Sequence, residues 1–146
     1  MNPILRVTFA AAALALLGAA PAPRQWQVKM LNKGPDGQYM VFLPAKLAIR
    51  PGDTVKFIAT DKGHNAELIG GMAPAGAPAF KGAINQEIEV RFKQSGLYGY
   101  KCLPHLGMGM VGVIEVGSVG NRAAMQAQAA KLPSLGKKRM IALLTS

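Results

Sequence analysis

Residues 24–117 are predicted to form an all-β sandwich, and residues 118–146 a helical extension packed against it. Three observations carry that prediction: short apolar runs that alternate with period two, turn formers at regular intervals between them, and a change of composition after Gly117. A chain of 146 residues, half of them hydrophobic, can bury one such core without disulfides, which its single cysteine could not supply.

Ahead of the sandwich, residues 1–23 read as a signal for export. Arg6 supplies a positive start, residues 7–17 an apolar stretch, and Gly18-Ala19-Ala20 the small side chains that a signal peptidase accepts. The apolar stretch falls short of the roughly 20 residues needed to span a bilayer, and no stop-transfer segment follows. Cleavage is therefore expected, with a mature chain that starts between Pro21 and Arg24 and does not stay in a membrane.

The first strand begins at Trp26, with Trp26, Val28 and Met30 on one face and Gln27 and Lys29 on the other. Further runs follow at residues 40–43, 47–49, 54–60, 87–92, 97–101 and 110–116, and Glu87-Ile88-Glu89-Val90-Arg91-Phe92 alternates most clearly. Between them stand residues 32–37, Pro51-Gly52-Asp53, Asp61-Lys62-Gly63, the Gly/Ala/Pro stretch 70–79 and Ser95-Gly96, all turn formers. Many short strands at this spacing fold as two packed sheets, here a Greek key of about eight strands. Beyond Gly117, residues 122–131 are rich in Ala and Gln, and residues 135–144 mix Leu, Ile and Met with Lys and Arg. Two helices are expected, separated at Pro133, with Asn121 and Ser134 available as N-caps, covering one side of the sandwich.

Seventeen Lys and Arg against seven Asp and Glu give a net charge of +10, which suggests an acidic partner, nucleic acid or an anionic surface, and charge alone does not choose among them. The positive residues are scattered, without an arginine-rich run or basic residues interleaved with aromatics, so a nucleic-acid partner is not expected.

The chemistry concentrates in Tyr100-Lys101-Cys102-Leu103-Pro104-His105-Leu106-Gly107-Met108-Gly109-Met110, a loop between two strand patterns. It holds the only cysteine, one of the two histidines and two thioethers, while the other histidine, His64, follows a turn at the end of a strand. An unpaired thiol in an exported chain is either buried and inert or bound to a metal. A soft thiolate, two imidazoles and a weak thioether suit a copper ion that cycles between Cu(I) and Cu(II). Residue types alone do not choose between Met108 and Met110. A structural zinc normally collects four Cys or His ligands, one more than this chain contains. A Cys-His nucleophile would leave His64 and both methionines without a role.

Lys62-Gly63-His64-Asn65, followed far downstream by Lys101-Cys102, Pro104-His105 and Met108-Gly109-Met110, resembles the cupredoxins, the type 1 blue-copper family, and among them the pseudoazurins. Met30-Leu31-Asn32-Lys33-Gly34, Pro51-Gly52-Asp53-Thr54-Val55 and the helical tail extend the resemblance over nearly the whole mature chain. It implies a Greek-key cupredoxin sandwich and one copper ion held by His64, Cys102, His105 and, axially, Met110. It also implies that Asn65 ties the His64 segment to the Cys102 loop and that Met40 packs near His105. Leu103 and Leu106 depart from the pattern, standing where the resemblance leads one to expect Thr and an aromatic residue.

On this reading the edge of His105 reaches the surface inside an apolar rim of Pro104, Leu106 and Met108, and Lys33, Lys62, Lys81 and Lys101 form a basic ring around it. The implied role is a monomeric periplasmic electron carrier, not an enzyme, between a cytochrome donor and an acidic-surfaced acceptor such as copper nitrite reductase. A copper storage or delivery protein is the alternative.

Overall fold

The computed structural model describes residues 20–146 of the chain. The proposed export signal lies outside the described residues apart from residues 20–23, which are exposed and without regular secondary structure ahead of the first strand.

Eight strands form two four-stranded sheets: β1 (Gln25–Lys33), β2 (Tyr39–Leu43), β3 (Lys46–Ile49), β4 (Thr54–Ile58), β5 (Glu67–Leu68), β6 (Ile88–Arg91), β7 (Gly96–Lys101) and β8 (Val111–Val116). One sheet has the order β2-β1-β4-β6 and the other β3-β8-β7-β5. Most neighbours are antiparallel, but β1 lies parallel to β4 and β3 parallel to β8, because the chain crosses between sheets after β2 and again after β3. Two helices follow, α1 (Arg122–Ala129) and α2 (Ser134–Thr145).

The first sheet obeys the alternation read from the sequence. Val28 and Met30 of β1 and Val55 and Phe57 of β4 are buried inward, while Lys29, Glu89 and Arg91 face water. The second sheet is covered on both faces, so β7 and β8 read as nearly continuous apolar runs. Tyr98, Tyr100, Ile114 and Val116 join Phe42 and Phe57 in the core between the sheets. Leu97, Val111 and Val113 point outward into a second core with Met125 and Ala129 of α1 and Met140 and Leu144 of α2. The helical tail thus supplies the missing wall of the second sheet.

Three details differ from the sequence reading. The run 54–60 stops as a strand at Ile58, and the Thr60 N–H turns back to the Ile58 carbonyl. The two-residue strand β5 is too short to produce an alternation. Ser134 is the first residue of α2 rather than its cap, a place taken by Pro133, and Asn121 precedes α1 without capping it through its side chain. Its amide instead accepts the Leu97 N–H at 2.8 Å and donates to the Leu97 carbonyl at 3.0 Å, tying the helical layer to β7.

Asp53, in the turn before β4, pins the sheet end opposite the histidine turn. Its buried carboxylate accepts the N–H groups of Arg24 and Arg50 and the Trp26 indole N–H, at 2.8, 3.1 and 3.0 Å. Those bonds, the one from Arg24 foremost, hold its pKa below the ordinary carboxylate value.

Candidate metal centre

Strands β7 and β8 run antiparallel with Lys101 opposite Val111, so the chain between them returns over a narrow base. Cys102 and Met110 close that base, the Cys102 N–H donating to the Met110 carbonyl at 3.0 Å. Leu103–Met108 forms a 3-10 turn with Pro104 in its first positions, where the ring's fixed φ fits and its missing N–H costs nothing. The His105 N–H donates to the Cys102 carbonyl at 3.2 Å, and the Met110 N–H to the His105 carbonyl at 3.1 Å. Gly109 ends the turn at φ 84°, and a Cβ there would lie 2.8 Å from Cδ of Arg139 and 2.9 Å from Cγ of Leu135.

His64 arrives from the other sheet. The turn after β4 passes through Gly63 at φ 96° and buries the His64 ring completely. Its Nε2 lies 2.8 Å from the side-chain oxygen of Asn32, an atom that can only accept, so Nε2 carries the proton and Nδ1 keeps its lone pair. Asn32 is held in turn by its own N–H, which donates to Asp61 at 2.7 Å.

The three side chains converge. Cys102 Sγ lies 3.7 Å from His64 Nδ1 and 3.4 Å from His105 Nδ1, and the two nitrogens are 3.1 Å apart. All three donor atoms fall within 4.8 Å of one another, the one such cluster of His, Cys, Asp or Glu side chains among the described residues. Burial, with the neighbouring His105 ring, lowers the His64 pKa, partly offset by Asp61, so the imidazole stays neutral and able to ligate. Burial also raises the Cys102 thiol, and Glu67 adds to that, while the backbone N–H groups of Asn65 and His105 stabilise the sulfur anion and pull the other way. Nitrogen and sulfur donors crowded this closely suit a positive charge held between them, and a soft cation supplies it.

Burial separates the two methionines that the residue types could not. Met110 is fully buried at the base of the loop, whereas Met108 is 46% exposed. Asn65 is buried with its amide fully used: its oxygen accepts the Leu103 N–H at 2.7 Å, and its nitrogen donates to Glu67 at 3.1 Å and the Gly82 carbonyl at 3.0 Å. Met40 is half-buried against the core between the sheets, with its backbone in the left-handed region at φ 53°.

Around the centre, Lys33 and Lys62 are exposed, and the Lys33 ammonium sits 5.2 Å from the Tyr39 ring centroid. Lys101 is half-buried and turned onto Glu67 at 3.4 Å, and Lys81 lies 3.9 Å from the same carboxylate. Pro104 is exposed, His105 is half-exposed, and Leu106 leans on the second core beneath α2. Leu103, which the sequence reading left out of the rim, is 50% exposed.

Three further residues escaped the sequence reading. Asn32 lies in a stretch read as a turn and as part of the resemblance, with no role at the metal assigned to it. Glu67 carried a signal, an acid inside the apolar run Ala66-Glu67-Leu68-Ile69. Arg139 of α2, which donates to the Gly109 carbonyl, carried none, because a basic residue on a helix is ordinarily solvated.

Comparison with known proteins places this geometry in a family. Residues 28–117 match the model of copper-binding proteins of the plastocyanin/azurin family. Over 117 residues the chain is 50% identical to a pseudoazurin of Methylorubrum extorquens, covering 78% of each protein. It is 44% identical over 135 residues to a pseudoazurin of Paracoccus pantotrophus, covering 92% of each. The crystal structure of pseudoazurin from Methylobacterium extorquens AM1 superposes with a TM-score of 0.77 at 46% identity, over 83% of this chain and 97% of that one.

Proposed function

Since the chain belongs to the plastocyanin/azurin family of copper-binding proteins, with the cupredoxin fold and copper as its cofactor, we propose that it is a periplasmic carrier of single electrons whose one ion would be held by His64, Cys102, His105 and Met110. Blue-copper electron transfer is the function its pseudoazurin relatives indicate. When bound, copper supplies the one-electron couple; every other part of the task falls to the protein.

The observation that carries this reading is the lone thiol at 3.4 and 3.7 Å from the facing nitrogens of both histidines. Cys102 gives up its proton on binding, and the amides of Asn65 and His105 are already aimed at the sulfur to receive the charge. Asn32 fixes the His64 tautomer, Asn65 holds Leu103 next to the thiol, and the buried Met110 closes the base. A cage restrained on every side moves little between oxidation states, which favours fast transfer.

His105 is the exit in this proposal, half-exposed beside Pro104, Leu103 and Met108, with Leu106 backing the turn. That apolar contact excludes water, while Lys33 and Lys62 steer an acidic partner and Lys81 and Lys101 add to the field from their places on Glu67. A copper nitrite reductase as acceptor and a cytochrome as donor fit such a surface, and a carrier that must release after each transfer works as a monomer through small contacts. Export through cleavage within residues 1–23 brings it to the periplasm.

The test is optical. The chain loaded with Cu(II) shows an intense visible thiolate-to-copper absorption, and Cys102→Ser abolishes it; an unchanged spectrum in that variant overturns the ligand assignment. Repeated oxidation and reduction then separates a carrier, which retains its copper, from a storage or delivery protein, which loses it at the reduced stage.

A further inference from the structure

Asn65 holds the start of the ligand loop through the Leu103 N–H. The end of the loop is held from an unexpected place, the helical tail. The Arg139 guanidinium donates to the Gly109 carbonyl at 3.1 Å, to the Met40 carbonyl at 3.0 Å and to the Tyr39 carbonyl at 3.1 and 3.2 Å. Gly109 immediately precedes Met110, and Tyr39 and Met40 open β2, so one side chain of α2 joins the loop exit to the edge strand of the first sheet. Packing agrees: a Cβ on Gly136 of α2 would come within 3.0 Å of the Leu106 carbonyl, so the helix lies directly on the 3-10 turn.

We propose that Arg139 is a positioning residue for the metal centre, fixing the Gly109–Met110 segment so that the Met110 thioether is presented at one depth. The backbone carries the effect. Met110 accepts the Cys102 N–H through its carbonyl and donates its own N–H to the His105 carbonyl, so a shift of the Gly109 peptide moves the Met110 thioether and both loop ligands together. Nη1 meets all three carbonyls and Nη2 shares that of Tyr39, whereas a lysine would keep the charge but place its donors one bond short of Nη1 and without the fixed plane. The unusual backbone of Met40, at φ 53°, is held by the same group. The proposal rests on the reading of residues 102–110 as the copper loop.

Arg139→Gln and Arg139→Lys are compared with Lys46→Ala, which frees the chain end from its bond to the Ser146 carbonyl without touching the loop. In the metal-free chain, amide hydrogen exchange at Cys102 and Met110 is expected to rise at least tenfold in Arg139→Gln, less in Arg139→Lys, and not in Lys46→Ala. In the copper-loaded chain, Arg139→Gln is expected to change the intensity ratio of the two thiolate-to-copper bands, and Lys46→Ala to leave it alone. Equal loop exchange and equal band ratios in Arg139→Gln and Lys46→Ala would overturn the proposal and leave Arg139 as general packing. Should Arg139→Gln not fold, the same comparison is made with Arg139→Lys, for which unaltered exchange and bands overturn it. Absence of any thiolate-to-copper band in the unsubstituted chain would fault the copper reading instead, and the exchange measurement, which needs no metal, still decides the role of Arg139.

Discussion

His64 and His105 turn the same nitrogen toward the same sulfur from opposite surroundings. His64 is fully buried, its far nitrogen is tied to Asn32, and it stands on a turn anchored to β1 through Asn32 and Asp61. His105 sits in a 3-10 turn, half-exposed, with apolar side chains around it and lysines nearby. On the proposed reading, the contrast separates two demands on one centre: a ligand that must not move is built into the sandwich, and the ligand proposed as the electron's exit stands where a partner could reach it. The fold meets both by drawing one histidine from each sheet's connections.

The comparison breaks most visibly when each ring is removed in turn. His105→Gly opens a cavity at the surface, so added imidazole is expected to enter it and restore most of the visible absorption of the copper-loaded protein. His64→Gly opens one beneath fully buried structure, and imidazole is expected to restore little. Titration of both variants with imidazole, followed optically, checks this; equal recovery would show that the two sides do not differ in access.

A smaller effect sharpens the buried side. Asn32→Leu removes the acceptor that fixes the His64 tautomer and leaves Nε2–H without its partner. Copper affinity is expected to fall roughly 10–100-fold, the usual cost of losing such an outer partner. Competition with a chelator measures it, and an unchanged affinity would mean that burial alone orients the ring.

What the sequence made legible follows the same division. The strands showed because one face of each is wet or because a run such as Val111–Val116 is apolar but for Glu115, and both patterns are properties of neighbouring residues. The Cys102 loop showed because its special residues lie within nine positions of one another. Glu67 and Leu68 of β5 did not, since two residues carry no period. Asn32 reaches His64 across 32 residues of chain and Arg139 reaches Gly109 across 30, and no local pattern marks a contact of that kind; Glu67 stood out only as an acid in an apolar run. Ser134 shows the reverse error, a good capping residue that stands one position inside the helix because Pro133, with its extended ψ of 151°, takes the cap position.

The exposed side is tested by the smallest effect, and there the structure divides lysines that the sequence treated alike. Lys62 extends into solvent, and its charge acts on an approaching partner without a carboxylate across from it among the described residues. Lys101 faces Glu67 at 3.4 Å with only 20% of its side chain exposed, and the same carboxylate orients Asn65, so much of its field is cancelled before it reaches the surface. Lys62→Gln is therefore expected to slow electron transfer to an acidic partner at low salt by roughly two- to fivefold, and Lys101→Gln by less. Raising the salt shortens the reach of both charges and should bring the two variants and the unsubstituted protein together. Stopped-flow transfer rates at two ionic strengths measure the difference. A larger low-salt effect from Lys101 than from Lys62 would mean that the partner draws Lys101 away from Glu67 on docking, and that the ion pair is part of the contact surface instead of part of the scaffold.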